Sequence, residues 1–139
     1  MTRVYVDMVA DIFHYGHVEF LRKAQAFGDH LLVGICSDET ARANKRTPIM
    51  NMEERVASVS GCRYVDEVVP DAPWVMDAAW IEKHKIDLVI HGDDYSQERI
   101  DSVYDVPRSM GIFRTVPYTT TISTTEIIRR CKEAKLGQS

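Results

Sequence analysis

The chain reads as an α/β domain on a mostly parallel sheet, and three observations say so. Apolar runs of strand length alternate five times with segments of helical periodicity along the 139 residues, the pattern of strand–helix–strand crossovers. One run, DLVIHG (87–92), is unbroken through its middle, as a strand covered on both faces must be. The stretches that are polar or carry special residues follow the strands directly, and a parallel sheet gathers such loops on one rim.

Each element has its own warrant. Val4, Val6 and Met8 alternate with Tyr5 and Asp7, giving a first strand. Val18, Leu21 and Ala24, with Phe20 and Phe27 beside them, predict a helix stopping at Gly28. HLLVGICS is the second strand, and SDETARANKR after it reads as a loop. NMEERVASVSG is a helix whose Asn51 and Glu54 form a capping box. RYVDEVVP is a third strand, followed by a loop through Pro73 and Trp74. Residues 76–85 are helical, DLVIHG is the fourth strand, and 98–110 form a helix that Pro107 disturbs near its end. IFRTVPY is a weak last strand. STTEIIRRCKEA closes the chain as a helix with Ser123 at its N-cap and Glu126 at the capping-box position. The tail LGQS is expected to fray. With no repeat or linker in between, residues 1–139 are expected to form a single domain with a doubly wound, Rossmann-like, parallel five-stranded sheet.

Composition narrows the function. An apolar share of 45% and a charged share of 27% are those of a globular protein. A net charge of −4 speaks against non-specific binding to nucleic acid. No apolar run approaches the roughly 20 residues of a membrane span. MTRVYVDMV turns acidic too early for a secretory signal. Cys36, Cys62 and Cys131 are odd in number and show no CxxC spacing, so reduced thiols in a cytoplasmic protein are expected. With a negative chain overall, any phosphate ligand needs a local cluster of donors.

DIFHYGHVEF supplies one. His14 and His17 are three apart and share one face of a helical first turn. A helix N-terminus offers free N–H groups and partial positive charge to a phosphate. Gly16 removes a Cβ that would keep a ligand from the backbone, and imidazoles can donate or carry charge near neutrality. Two plainer readings stand beside this one: histidines satisfied within the fold, and a metal site, which HxGH serves poorly for want of the HExxH spacing and a third ligand.

HYGH after a first strand and STT opening the last helix resemble the nucleotidyltransferase superfamily with the HxGH signature. CRYVDEVVPDAPW, HGDD and TISTTEII are similar, in the same order, to segments of the phosphocholine, phosphoethanolamine and glycerol-3-phosphate cytidylyltransferases; the resemblance runs from about Val4 to Arg130. It implies transfer of CMP from CTP to an alcohol phosphate, with pyrophosphate released by in-line attack on the α-phosphate and no covalent intermediate. Catalysis of that kind is positioning and charge stabilisation. The resemblance assigns His14 and His17, with Lys45 and Arg63, to catalysis on the phosphates, Arg46 being a rival for the role of Lys45. Val9, Ala10, Asp11 and Gly16 of the first loop, His91, Gly92 and Asp94 of the fourth, and Tyr118, Ser123, Thr124 and Thr125 of the last would hold the nucleotide. Trp74 and Asp38 would face the acceptor. Asp11 would support its loop by accepting backbone N–H groups. Taken alone, Ser123–Thr125 reads first as an ordinary capping box; the resemblance reverses that preference, and both readings can hold together. Gly92-Asp93-Asp94 also reads as a turn.

The same resemblance implies Mg2+ with CTP, no metal held by the protein itself, and a homodimer, RYVDEVV being similar to the segment near the family's contact. No lipid-binding amphipathic tail is read in the chain, so a form without membrane switching is expected. Two departures bear on specificity. The last motif commonly begins with arginine, as in RTEGISTT; here Tyr118 takes that place and Thr120 and Thr121 replace residues after it. A planar cation with several donors has become a phenol. Met8 stands where glycine is common. Base choice and acceptor are therefore open, phosphonates included. An adenylyltransferase of the same superfamily and a non-catalytic nucleotide-binding module remain the alternatives.

Overall fold

The computed structural model of the chain describes residues 1–135, so the expected fraying of LGQS lies outside the described residues. Five parallel strands, β1 (Arg3–Met8), β2 (His30–Ile35), β3 (Glu67–Pro70), β4 (Leu88–Gly92) and β5 (Phe113–Val116), form one sheet in the order β3-β2-β1-β4-β5. Among the described residues seven helices connect or follow them: α1 (Tyr15–Gln25), α2 (Asp38–Asn44), α3 (Met52–Ser60), α4 (Ala78–Lys83), α5 (Gln97–Val103), α6 (Asp105–Ser109) and α7 (Thr124–Glu133).

The period-2 geometry of the strands divides the core. Val4 and Val6 of β1, with Leu31, Val33 and Ile35 of β2, face one side and pack on Leu21 and Ala24 of α1 and Val59 of α3. Tyr5 and Leu32, one step along, face the other side and meet Ile81 of α4 and Val103 of α5. Both faces are covered, so the sheet is doubly wound as the sequence predicts. Among the described residues no helix is long and apolar enough to cross a membrane.

Four local expectations are corrected. SDETARANKR is not all loop: residues 38–44 form α2, with Ser37 Oγ accepting from Thr40 N–H at 3.0 Å. Its one buried side chain, Ala41, gives too little apolar periodicity to be read. RYVDEVVP pairs over Glu67–Pro70 alone, because Val65 N–H turns back to the Cys62 carbonyl. The helix over 98–110 breaks at Tyr104. Pro107 cannot donate to the Val103 carbonyl, which accepts Met76 N–H instead, at 3.3 Å. In α6 the proline then lies in the first turn, where a missing N–H leaves no intrahelical bond unmade. Finally, α1 ends at Gln25 rather than at Gly28. Gly28 lies against β1, where an added Cβ would meet the Thr2 carbonyl oxygen at 2.6 Å.

Candidate active site

The strand order reverses between β1 and β4, and in open α/β sheets ligands bind in the crevice at that point, beyond the carboxyl ends of the strands. A pocket of about 300 Å³ lies there, at the small end of the roughly 300–1,000 Å³ typical of ligand sites. All five loops that follow strands contribute to its lining.

The histidines begin with a helix cap. His14 is the N-cap of α1, and its Nδ1 accepts the Gly16 N–H at 3.0 Å. His17 reaches back, and its Nδ1 accepts the His14 N–H at 3.1 Å. The two imidazoles thus complete a reciprocal capping box, 4.0 Å apart between ring centroids. With both Nδ1 atoms accepting, each neutral ring carries its proton on Nε2. His14 Nε2 lies 3.4 Å from Thr124 Oγ1, which itself donates to the Asp11 carbonyl at 3.0 Å. Burial holds both imidazole pKa values below the ordinary one; for His17, burial, then the charges of His14 and Lys45, carry it down to about 3. Two neutral N–H donors therefore line the pocket beside the start of α7.

Gly16 has a role the sequence did not suggest. A Cβ there would come within 2.8 Å of His14 Cε1, so the bare residue makes room for the capping imidazole itself. Before it, Ala10 and Ile12 have φ of 58° and 48°, a left-handed conformation that costs energy in residues with a Cβ.

Two buried charges fix the surrounding loops. The Asp11 carboxylate accepts Ile49 N–H and Met50 N–H, each at 2.9 Å, and pairs with Arg46 at 3.2 Å. It supports a loop as expected, but the loop it holds is the one between α2 and α3, while its carbonyl ties down Thr124. Arg55, fully buried, grips the same loop from the other side through the Met50 carbonyl at 3.1 Å. Its guanidinium also holds the carbonyls of Val9 (2.7 Å) and Cys36 (2.9 Å), at the ends of β1 and β2, and pairs with Asp38 at 2.5 Å. Unpaired, such a group would be costly to bury. Nothing in the reading of the sequence singled out Arg55, though a signal existed: Met52, Arg55 and Val59 share the helix face that packs on the core.

The floor holds a second residue the sequence reading passed over. Asp7, on β1, accepts the Tyr104 hydroxyl at 2.6 Å. Burial raises its pKa, and the Tyr104 bond and the His91 imidazole partly offset that. His91 packs between Tyr95 (4.1 Å between centroids) and Tyr104 (5.1 Å). An acidic residue inside an apolar strand was the available clue.

Val9, Ala10, Asp11, His14, Gly16, His17, Lys45, Trp74, His91, Gly92, Asp94, Tyr118, Ser123, Thr124 and Thr125 all line this pocket. Lys45 Nζ lies 5.8 Å from the centre of the Trp74 ring. Dehydration, then the charge of Arg99, lowers its pKa. Ser123 caps α7 through Glu126 N–H at 3.0 Å, but the capping box is half made, because the Glu126 carboxylate turns to Arg129 and Arg130. Two assigned residues stand elsewhere. Asp38 is taken up by Arg55 and does not line the pocket. Arg63 is exposed, donates to the Tyr64 hydroxyl at 2.8 Å, and borders a separate groove between α1 and α3. Residue type alone could not tell that Arg55 would reach Asp38, or that Arg63 would turn to its neighbour Tyr64.

Comparison with known proteins fits this geometry. The family described as "Cytidylyltransferase-like" matches residues 8–130. This chain belongs to that family. It is 48% identical over 134 residues to an ethanolamine-phosphate cytidylyltransferase of Arabidopsis thaliana, covering 91% of the chain and 32% of the relative. It is 42% identical over 132 residues to choline-phosphate cytidylyltransferase A of Homo sapiens, covering 93% of the chain and 36% of the relative. The chain thus spans about a third of the length of these relatives. Among solved structures, a lipopolysaccharide core biosynthesis protein of Thermoplasma volcanium superposes with a TM-score of 0.69 at 28% identity, covering 86% of the chain and 97% of that protein. Pantothenate synthetase of Thermus thermophilus, at 13% identity, a TM-score of 0.64 and coverage of 95% of the chain and 64% of that protein, shares the fold.

Proposed function

We propose that this cytidylyltransferase-like domain transfers CMP from CTP to a small phosphate monoester with a cationic head, of the ethanolamine-phosphate or choline-phosphate kind. The observation that carries the reading is the convergence of the His14 and His17 Nε2–H donors and the Ser123–Thr125 start of α7 on one pocket. An acceptor phosphate oxygen attacks the α-phosphorus of CTP in line; the bond to the bridging oxygen breaks, and pyrophosphate leaves with the electron pair. The imidazole N–H groups meet the charge that grows on the α-phosphate and the leaving group. The N–H groups and hydroxyls of Ser123–Thr125 suit the β- and γ-phosphates, and Lys45 adds a mobile cation. Mg2+ enters with CTP as part of the substrate and screens its charge, held chiefly by the phosphates.

The acceptor's ammonium fits the floor. Asp7 offers a carboxylate, and His91, Tyr95 and Tyr104 supply aromatic faces around it, the surroundings that favour a small organic cation. This predicts an order among acceptors with Mg2+ and CTP: phosphoethanolamine and phosphocholine above glycerol 3-phosphate, and 2-aminoethylphosphonate above 2-hydroxyethylphosphonate. Pyrophosphate release reads it out, and equal or reversed rates would remove Asp7 from the acceptor site. The same assay with ATP tests the adenylyl reading. Tyr118, in the place of the family's arginine, favours one second reading, a nucleotide-binding module without turnover; it predicts CTP binding with no pyrophosphate from any acceptor. A homodimer is part of the proposal, and sedimentation checks it.

A further inference from the structure

Lys45 lines the pocket and Arg99 rests behind it on Tyr95, which lines it, and neither cation has a carboxylate partner among the described residues. Arg46 is held by Asp11 and Arg55 by Asp38, whereas Lys45 and Arg99 enter no ion pair. Each instead rests on an aromatic ring that lines the pocket. Lys45 Nζ lies 5.8 Å from the centre of the Trp74 ring, and Arg99 Cζ lies 4.7 Å from the centre of the Tyr95 ring. The two arrive from different parts of the fold: Lys45 caps the end of α2, after β2, and Arg99 lies in α5, after β4. They feel each other, since Arg99 is the strongest charge lowering the Lys45 pKa, with Asp94 opposing it. Two like charges near one another, neither of them held in an ion pair, raise the energy of the empty site, and an anion between them relieves it.

We infer that Lys45 and Arg99 are the two jaws of an anion clamp that takes the phosphate of the acceptor, Arg99 being a binding residue that no sequence motif marks. The proposal deepens the function given above and rests on it for the identity of the anion. The layout suits a short zwitterion. Tyr95 touches both ends of the arrangement, its ring packing at a tilt against His91 and carrying Arg99. An ammonium at Asp7 thus leaves its phosphate on the Arg99 side of the pocket. A guanidinium adds a fork of donors that grips two phosphate oxygens, whereas a lysine acts as a point charge. A guanidinium from α5 also restores cationic charge to a pocket whose last loop carries Tyr118 in the place of an arginine.

The test uses Arg99→Gln and Arg99→Lys, at an exposed helical position whose side chain makes no hydrogen bond among the described residues. Charge-assisted bonds of this kind predict an increase of about tenfold or more in KM for phosphoethanolamine in Arg99→Gln, with KM for CTP within about twofold of the parent. Arg99→Lys recovers part of the loss. Binding of phosphoethanolamine and of inorganic phosphate without CTP, followed by NMR titration, weakens in the same order, so the clamp is judged even if the parent releases no pyrophosphate. Unchanged phosphoethanolamine and phosphate affinities in Arg99→Gln, or KM for CTP rising in step with that for the acceptor, would overturn it.

Discussion

The starts of α1 and α3 carry the same backbone device made from different chemistry. At α3 the Asn51 carboxamide accepts Glu54 N–H and the Glu54 carboxylate accepts Asn51 N–H, both at 2.9 Å, out on the surface. At α1 the two positions are His14 and His17, and the box closes through one nitrogen of each ring. Asn51 and Glu54 make their box at the surface, away from the pocket. An imidazole has two nitrogens, so a histidine that caps with Nδ1 still has an N–H to offer. The difference teaches how a helix terminus becomes a site: the cap fixes ring position and tautomer together, and the ligand receives donors that need no rearrangement.

The comparison breaks most sharply under substitution. His14→Ala and His17→Ala are each expected to lower turnover about a hundredfold or more, the effect of removing one preorganised donor worth about 2.7–4 kcal/mol. Asn51→Ala, by contrast, should cost about 1 kcal/mol of stability and leave turnover within about twofold. Pyrophosphate-release kinetics beside urea unfolding separate the two, and a His14→Ala enzyme with normal turnover would reduce the α1 box to a structural cap.

Glycines near the two helices sharpen it further. An added Cβ at Gly16 would meet His14 Cε1 at 2.8 Å, while at Gly61, the C-cap of α3, the nearest atom is the Ser58 carbonyl oxygen at 3.5 Å. Gly16→Ala should therefore push the imidazole off its cap and lower turnover about tenfold to a hundredfold. Gly61→Ala should stay within about 0.5 kcal/mol of the parent in stability. Equal activities for the two variants would sink the idea that Gly16 seats the ring.

The smallest effect is a slope with pH. The pKa of His17 is held at about 3 in the folded chain, below the ordinary 6.5. Between those values the unfolded chain binds the extra proton, so stability is complete above about pH 6.5 and falls as the solution is acidified. Urea midpoints measured from pH 6.5 to 5, above most carboxylate titrations, should decline in the parent and decline less in His17→Gln. Equal slopes would mean that the ring is not held neutral by burial.

The order of the strands in the chain, their parallel direction, the covered sheet and the rim on which the site lies were legible because they follow from local patterns: alternation in β1, the unbroken run in β4, the caps Asn51 and Ser123. The segments lining the pocket were legible for the same reason, being the stretches that follow strands. The sequence by itself determined those things. Only the tertiary structure decided the partners of the charges. Asp38 goes to Arg55 and leaves the pocket, Arg63 lies over Tyr64 in another groove, and Arg99 rests on the Tyr95 ring. The physical reason is reach. A long charged side chain settles wherever the folded chain brings an opposite charge, a carbonyl or an aromatic face, whether that is the next residue, as Tyr64 is for Arg63, or one brought in by another element, as Arg55 is for Asp38, and residue type alone does not choose between them.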